Sequence, residues 1–498
     1  MIKMKHLSHN GVLIPKYEFK GFFILFKDKK INLTVEQEEM AVAWVKKLGT
    51  EYVEDKVFIK NFFDDFSKAF GIKATKEDFD FSEIIKFVEK EREAKLNMPK
   101  EEKKKLAEER KVIREANKEK YGYAILDGEK VELGNYMAEP SSIFMGRGKH
   151  PLRGKWKKGA KESDIILNLS PDAKVPEGKW KQIVWQPTMW IAKWDDSLRG
   201  KEKYIWLSDT SPVKQEREIE KFNKAKGLER KFDLIKEHII KNLNSEDLKK
   251  RKIATVCYLI DALSMRVGDE KDEDEADTVG ATTLTSENIK FLSANLVKFD
   301  FIGKDYVHWE KDVELPELVL KNLKDFIKAS KSYVFDGVRS EDVNAFLSEI
   351  VDGITAKVFR TYHASKAVRE YLDSVKASKD DSESYKKYIA TMANLQAAIV
   401  CNHKRKLPAK WNESLEKKKK RLEDLKLKKG KKAKEKINEM KLKIELMKET
   451  KDYNLNTSLK SYIDPRIFFE WSKNSNFDWK KYYSKTLQKK FSWIEKEK

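Results

Sequence analysis

The sequence predicts an α+β protein of several domains: a mixed α/β front part, a mainly α-helical middle, an antiparallel coiled coil and a short C-terminal segment. Three observations carry this prediction. Short runs of alternating polarity, rich in tryptophan, lie between Tyr121 and Leu207 and read as strands. From about Ser211 the apolar residues recur at helical spacing as far as the region of Ala409. From Ala409 to Lys451 two heptad seams follow each other, with Gly430 as the one breaker between them. At 498 residues the chain has room for roughly three domains.

Taken in order, Lys16 to Leu33 holds two alternating runs around Lys27 to Lys30, a predicted hairpin turn. Thr34 with Gln37 three residues on forms a capping box and opens a helix through Ala41, Val45 and Leu48. Further helices are expected through Phe62 and Ile85. A charged helix starts at Pro99, whose missing N–H is harmless in a first turn, and runs to about Glu119 as a solvated strut. Trp180, Ile183, Trp185, Trp190, Trp194 and Trp206 predict an aromatic-rich β core. A platform for stacked bases is the other use of such side chains. Within that region Met145 to Gly159 interleaves glycines with Arg147, Lys149, His150, Arg153, Lys155, Lys157 and Lys158. A pliable backbone carrying cations suits phosphates, and a solvated loop has the same composition.

A hairpin is expected near Val297 to Trp309. In the coiled-coil stretch Trp411, Leu415, Leu422 and Leu425 fall on one seam, and Ile437, Met440, Ile444 and Met447 on another. Two helices joined at Gly430 would bury both seams and leave a strongly basic exterior.

Composition bounds the partners. Lys and Arg number 104 against 83 Asp and Glu, a formal net charge of +21 and a pI near 9.3. Such an excess points to a polyanion. Apolar runs such as Phe22 to Phe26 fall far short of the ~20 residues that span a bilayer. Met1 to His6 is basic but no apolar stretch follows, so no secretory leader is expected. Cys257 and Cys401 cannot build a disulfide framework, and a reducing compartment is expected. No cysteine and histidine cluster has zinc spacing, so no metal is expected.

Five residues could carry chemistry together. Tyr462 stands three residues before Pro465, on the last turn of a short predicted helix. Arg266 closes an apolar helix, and Arg360 sits inside another, where a guanidinium needs an anionic partner: an internal carboxylate or a bound phosphate. Lys304, in a Gly303-Lys304-Asp305 turn, is either a solubilising tip or a finger able to give a proton to a leaving oxygen. His403 follows an apolar helix, as a cap, a core residue or a catalyst. Attack on a phosphodiester passes through an extra-negative pentavalent state, which fixed cations stabilise. Two rival readings fail. Asp269 to Asp277 lacks the glycine of a calcium loop, and Cys401 lies only two residues from His403, a poor geometry for a thiol–imidazole pair on a helix.

The surrounds Ala276 to Gly280, Phe299 to Asp305, Thr355 to Tyr362, Cys401 to His403 and Tyr462 to Arg466 occur in this order. Lys56 to Phe63 and Gly146 to Pro151 precede them. In this combination, from about His6 to Ile494, the chain resembles the eukaryotic-type type IB DNA topoisomerases. The resemblance implies relaxation of positive and negative supercoils. Tyr462 would attack to form a 3′-phosphotyrosine and expel a 5′-hydroxyl. Arg266, Arg360 and His403 would hold the non-bridging oxygens, with Lys304 as general acid. It further implies DNA contacts at Arg147, Lys149, His150, Arg153, Lys155, Lys157, Thr278, Asp305 and Ser461. Duplex DNA would be the partner of a monomer, with no ATP, metal or other cofactor. By the same resemblance 1–209 is a DNA-binding cap, with a helix and strand subdomain at about 19–102. Residues 210–408 are a catalytic domain of the tyrosine recombinase and type IB topoisomerase kind, 409–452 a linker that slows DNA rotation, and 453–498 the domain of the tyrosine.

Four departures accompany the resemblance. The long charged N-terminal extension of nuclear members is missing. This favours an archaeal or viral version, in the cytoplasm or nucleoid, with nucleus or virion as the alternative. Ser461 stands where nuclear members have asparagine beside the camptothecin site, so weak inhibition by that drug is expected; strong trapping of cleavage complexes at low concentration would contradict it. Asp269 replaces an asparagine, and the acidic loop after it is one residue short. Two other functions compete. Tyrosine recombinases carry histidine three residues before the second arginine, where this chain has Lys357, and they lack the cap and coiled coil. A basic DNA-packaging protein would explain the charge and the coiled coil but not five matched surrounds; salt-sensitive binding without nicking would favour it.

Overall fold

The computed structural model describes residues 4–269 and 278–497, which divide into two compact units at Glu216 and Arg217. Each mixes helices with small sheets, so the chain is a mixed α/β protein of more than one domain.

The first unit begins with β1 (Leu7–His9), β2 (Phe23–Phe26) and β3 (Lys29–Asn32). β2 and β3 pair with Phe26 opposite Lys29. The turn is therefore only Lys27 and Asp28, both left-handed at φ 46° and 65°, as a two-residue hairpin with the right twist requires. Next come α1 (Val35–Val45), α2 (Lys56–Ala69), β4 (Phe79–Asp80), α3 (Ser82–Asn97) and α4 (Lys100–Tyr121). The Thr34 and Gln37 capping box closes in both directions at the start of α1. Trp44 stacks on Phe62 at 4.8 Å and meets Phe63 edge-on, the centre of an aromatic core. α4 follows Pro99 and buries none of its side chains, as the strut reading expects.

The remaining strands of this unit are β5 (Tyr123–Leu126), β6 (Glu129–Glu132), β7 (Ser142–Ile143), β8 (Trp156–Lys157), β9 (Ile166–Asn168), β10 (Gln182–Val184), β11 (Trp190–Asp195) and β12 (Glu202–Trp206). Their core is mainly aliphatic, with Leu126, Ile165, Leu167, Ile191 and Trp194. The aromatic-rich core expected from the sequence is thus corrected in part. Trp190 and Trp194 are buried and Trp180 and Trp185 pack at the margin, but Ile183 and Trp206 are exposed. The sheet order β10-β9-β11-β12 makes the strands of those two residues its edges.

The boundary falls within α5 (Pro212–Asn242). Then follow α6 (Leu248–Leu263), β13 (Ile289–Phe291), β14 (Leu296–Gly303), β15 (Val307–Glu314), α7 (Glu317–Ala329), α8 (Ser340–Ser348), α9 (Ala356–Ser374) and α10 (Glu383–Val400). The hairpin β14–β15 extends past the expected ends because Val297, Phe299 and Phe301 point alternately into the core, where Phe301 stacks on Trp309 at 4.9 Å. The chain ends with α11 (Trp411–Lys426), α12 (Lys431–Glu449), α13 (Leu455–Ser461), α14 (Pro465–Ser475) and α15 (Lys485–Lys490). Leu415, Met440 and Ile444 are buried between α11 and α12, with Trp411, Leu422, Leu425 and Met447 beside them. α9 separates two cores: Phe359 and Tyr362 join that of α6 and the sheet, Ala364 and Val368 that of α10 and α13 to α15. Arg360 projects from this dividing helix. Among the described residues no helix is long and apolar enough to cross a membrane.

Candidate active site

Tyr462 directly follows α13, with φ −123° and ψ −26°. Asp464 and Pro465 force the chain into a new helix at once: the aspartate caps α14 by accepting from the Arg466 N–H, and proline takes its first turn. The tyrosine is nearly buried, at 5% exposure, and four groups touch it. Arg266 Nη1 donates to its hydroxyl at 3.2 Å. The Arg360 guanidinium lies 5.1 Å from its ring centroid, and the His403 ring is 5.1 Å away. Ser365 Oγ donates to its carbonyl at 3.3 Å and accepts from the Asp464 N–H at 3.0 Å.

Each cationic residue is placed by a local device. α6 ends when Ser264 takes a left-handed conformation, which turns Arg266 out of the helix. α10 ends with Asn402 left-handed at φ 49°, and the His403 N–H returns to the Ala398 carbonyl at 2.8 Å, a helix-closing turn that tolerates asparagine. The His403 carbonyl then accepts from the Asn454 N–H at 2.7 Å, tying it to the segment that leads into α13. Arg360 is 4% exposed and spends Nη2 on the Cys401 carbonyl at 2.6 Å.

The remaining polar atoms are unsatisfied. Arg360 Nε and Nη1 and both ring nitrogens of His403 are buried without a hydrogen-bond partner. Burial, reinforced by Arg360 and Arg266, pushes the His403 pKa down to about 3, so its imidazole is neutral near pH 7. Burial and the field of Arg360 also lower Arg266, which keeps its charge. Burial raises the Cys401 thiol, so no thiolate competes as nucleophile. Buried donors of this kind call for an acceptor, and a tetrahedral anion beside the tyrosine hydroxyl would supply it.

Lys304 is exposed in the turn joining β14 and β15. Three bonds lace that turn to the cluster. The Asn402 side chain donates to the His308 carbonyl at 3.3 Å, opposite Ile302 in the hairpin. The Val279 N–H donates to the Ile302 carbonyl, and the Ala281 N–H to that of Arg266, both at 2.8 Å. Thr278 begins this lacing segment, half-buried, and Asp305 follows Lys304 in the turn. Ser461 ends α13. The acidic stretch after Asp269 lies outside the described residues.

In the first unit the predicted phosphate-binding stretch divides into two groups. Arg147 and Lys149 are exposed. Arg153 pairs with Asp55 at 2.9 Å, Lys155 with Asp65 at 3.0 Å, and Lys157 with Asp196 at 2.8 Å and with Glu139. His150 is buried, its Nδ1 accepting from the Leu152 N–H. Sequence reasoning missed Ser365, Asn402 and Lys221, whose ammonium donates to the Ser461 carbonyl at 3.1 Å. Only Asn402 carried a signal, an asparagine where an apolar helix ends.

Comparison with known proteins gives the family. Residues 2–207 match the model of the eukaryotic DNA topoisomerase I DNA binding fragment, 210–440 that of its catalytic core, and 434–498 that of the C-terminal topoisomerase domain. DNA topoisomerase 1 beta of Arabidopsis thaliana is 35% identical over 99% of this chain, which spans 58% of that relative's length. DNA topoisomerase 1 of Homo sapiens is 33% identical, with 99% of this chain and 71% of the relative covered. The mitochondrial DNA topoisomerase I of Rattus norvegicus is 32% identical, with 99% and 91% covered. These relatives are eukaryotic, which lends no support to an archaeal-like cytoplasmic or nucleoid placement. With three family models in succession along it and a relative matched over nine-tenths of its length, the chain belongs to the eukaryotic DNA topoisomerase I family.

Proposed function

We propose that this protein is a type IB DNA topoisomerase that relaxes positive and negative supercoils through a transient single-strand break. One observation carries the reading: four buried polar atoms without partners in the protein, two guanidinium nitrogens of Arg360 and the two ring nitrogens of His403, one of them an N–H donor, surround a tyrosine whose hydroxyl already rests on Arg266. In this reading a scissile phosphate takes those donors, and its charge also offsets the mutual repulsion of the two arginines.

The Tyr462 oxygen bonds to phosphorus as the bond from phosphorus to the 5′-oxygen breaks. Arg266 stabilises the oxygen as the phenol gives up its proton to solvent, and Lys304 protonates the departing oxygen, so one proton is lost and one gained. Arg360 and His403 stabilise the charge on the non-bridging oxygens, which is greatest in the pentavalent state. The phosphodiester energy is kept in the 3′-phosphotyrosine, so religation needs no ATP. The cap at 1–209 and the catalytic domain at 210–408 of a monomer each bind duplex DNA, α11 and α12 form a coiled-coil linker within 409–452, and 453–498 brings the tyrosine.

Relaxation of a supercoiled plasmid with EDTA present and ATP absent tests this. Wild type should relax both signs of supercoil and Tyr462→Phe neither. If both proteins bind the plasmid and neither relaxes it, the reading is wrong and a packaging role replaces it.

A further inference from the structure

The aim of a nucleophile depends on the backbone that carries it, and the backbone of Tyr462 is held on both sides. In the peptide before it, the Tyr462 N–H donates to the Ser458 carbonyl at 2.9 Å, and the Ser461 carbonyl accepts from Lys221 Nζ at 3.1 Å. In the peptide after it, the Ile463 N–H donates to the same Ser458 carbonyl at 3.1 Å, and the Tyr462 carbonyl accepts from Ser365 Oγ at 3.3 Å. These two planes fix φ and ψ of Tyr462 and therefore the direction of its Cα–Cβ bond. Ser458 belongs to α13 itself. The two outside anchors are Ser365, from the helix that carries Arg360, and Lys221, from α5.

Lys221 is itself held. Both of its bonds to Glu218, at 2.9 and 3.0 Å, lie one turn back on α5. Glu218 also pairs at 3.1 Å with Lys490, which is 4% exposed and donates to the Lys460 carbonyl at 2.8 Å. One carboxylate thus balances two ammonium groups, which cap the last two carbonyls of the tyrosine's helix. A helix C-terminus carries partial negative charge and unpaired carbonyls, and cations there satisfy both. Burial pulls the Lys221 pKa down to about 8, with Glu218 opposing it, so the group is charged near pH 7.

We infer that Lys221, oriented by Glu218, is a positioning residue for the nucleophile: it locks the peptide plane ahead of Tyr462 so that the phenol stays on Arg266. The inference rests on the proposed reaction for its rate readout and on geometry alone for its spectroscopic one.

Two measurements on the full chain test it. The first is single-turnover cleavage of a duplex oligonucleotide from which the short cleaved fragment departs. Lys221→Met keeps the length of the side chain and loses the donor. It should cleave about ten- to a hundredfold more slowly, the loss expected of a small misplacement of a reacting group, while binding the duplex as tightly as wild type. Lys221→Arg, which retains charge and donors, should recover most of the rate. The second is 19F NMR with 3-fluorotyrosine at position 462. Wild type should give one sharp resonance and Lys221→Met a broadened or divided one. Should Lys221→Met fail to fold, Glu218→Gln, which loosens the ammonium without removing it, should show a smaller change of the same kind. Wild-type cleavage by Lys221→Met, or an unchanged resonance, would overturn the inference. If wild type does not cleave but the resonance still divides in the variant, the reaction is wrong and the positioning stands.

Discussion

At the scale of single residues the site makes its strongest statement through His403. Its folded pKa of about 3 lies well below the ordinary histidine value of 6.5. Between those values the unfolded chain binds a proton that the folded chain refuses, so stability falls as pH drops through the window and is unaffected above about 6.5. The effect should be on the order of 3 kcal/mol at pH 4. Urea titrations from pH 8 to pH 4 should therefore show wild type losing stability relative to His403→Gln only below about 6.5. A constant difference across the range would contradict this. His9, buried in the first unit and lowered to about 4, adds a fall common to both proteins. Tyr462, Arg266, Arg360 and His403 were singled out in the sequence only as a set, since each surround alone also suited a structural role; the structure brings the four together. Lys221 and Ser365 were not singled out. Their partners are backbone carbonyls 240 and 97 positions away, and nothing local distinguishes them from surface residues.

Elements were legible where their causes are local. The Thr34 capping box, the proline before α4 and the apolar alternation of β14 each act within a few residues, and each appears as expected. Sheet order is not local, so the exposure of Trp206 on an edge strand could not be read from its neighbours. The lacing beside Arg266 has the same character. Gly268, left-handed at φ 83°, and Gly280 approach so closely that a Cβ on Gly280 would stand 2.5 Å from Gly268 Cα and 3.0 Å from the Arg266 carbonyl. That carbonyl is the acceptor for Ala281, so a methyl group there must displace the backbone of the arginine. Gly280→Ala should destabilise the protein by about 1–3 kcal/mol, as overpacking does, and slow cleavage more than about tenfold through the shift of Arg266. Thermal melts and single-turnover cleavage measure the two effects. A variant that melts early but cleaves normally would dissociate the lacing from the chemistry.

At the scale of the whole molecule the net charge of +21 argues for a polyanion, but it does not say which cations meet it. Burial divides them. Lys149 is exposed, whereas Lys157 is 9% exposed and faces Asp196, itself 2% exposed. The Lys157 charge holds the Asp196 carboxyl down at about 2 against the cost of burial. Both lysines belong to one basic stretch and look alike in the sequence, yet they should fail in opposite ways. Removing an exposed phosphate contact lowers affinity for every duplex sequence and reduces the slope of log affinity against log salt by about one. Lys149→Ala should do this and leave the melting temperature unchanged. Removing one member of a buried pair leaves the other charge uncompensated and costs about 3–5 kcal/mol, less here because Lys203 and Arg199 stand 3.5 and 3.7 Å from the same carboxylate. Lys157→Ala should therefore lower the melting temperature and leave the salt slope as it is. Duplex binding titrated from 50 to 200 mM salt, alongside thermal melts, separates the two. A changed slope in Lys157→Ala would mean that DNA draws this lysine out of its ion pair and that the free protein conceals part of its binding surface.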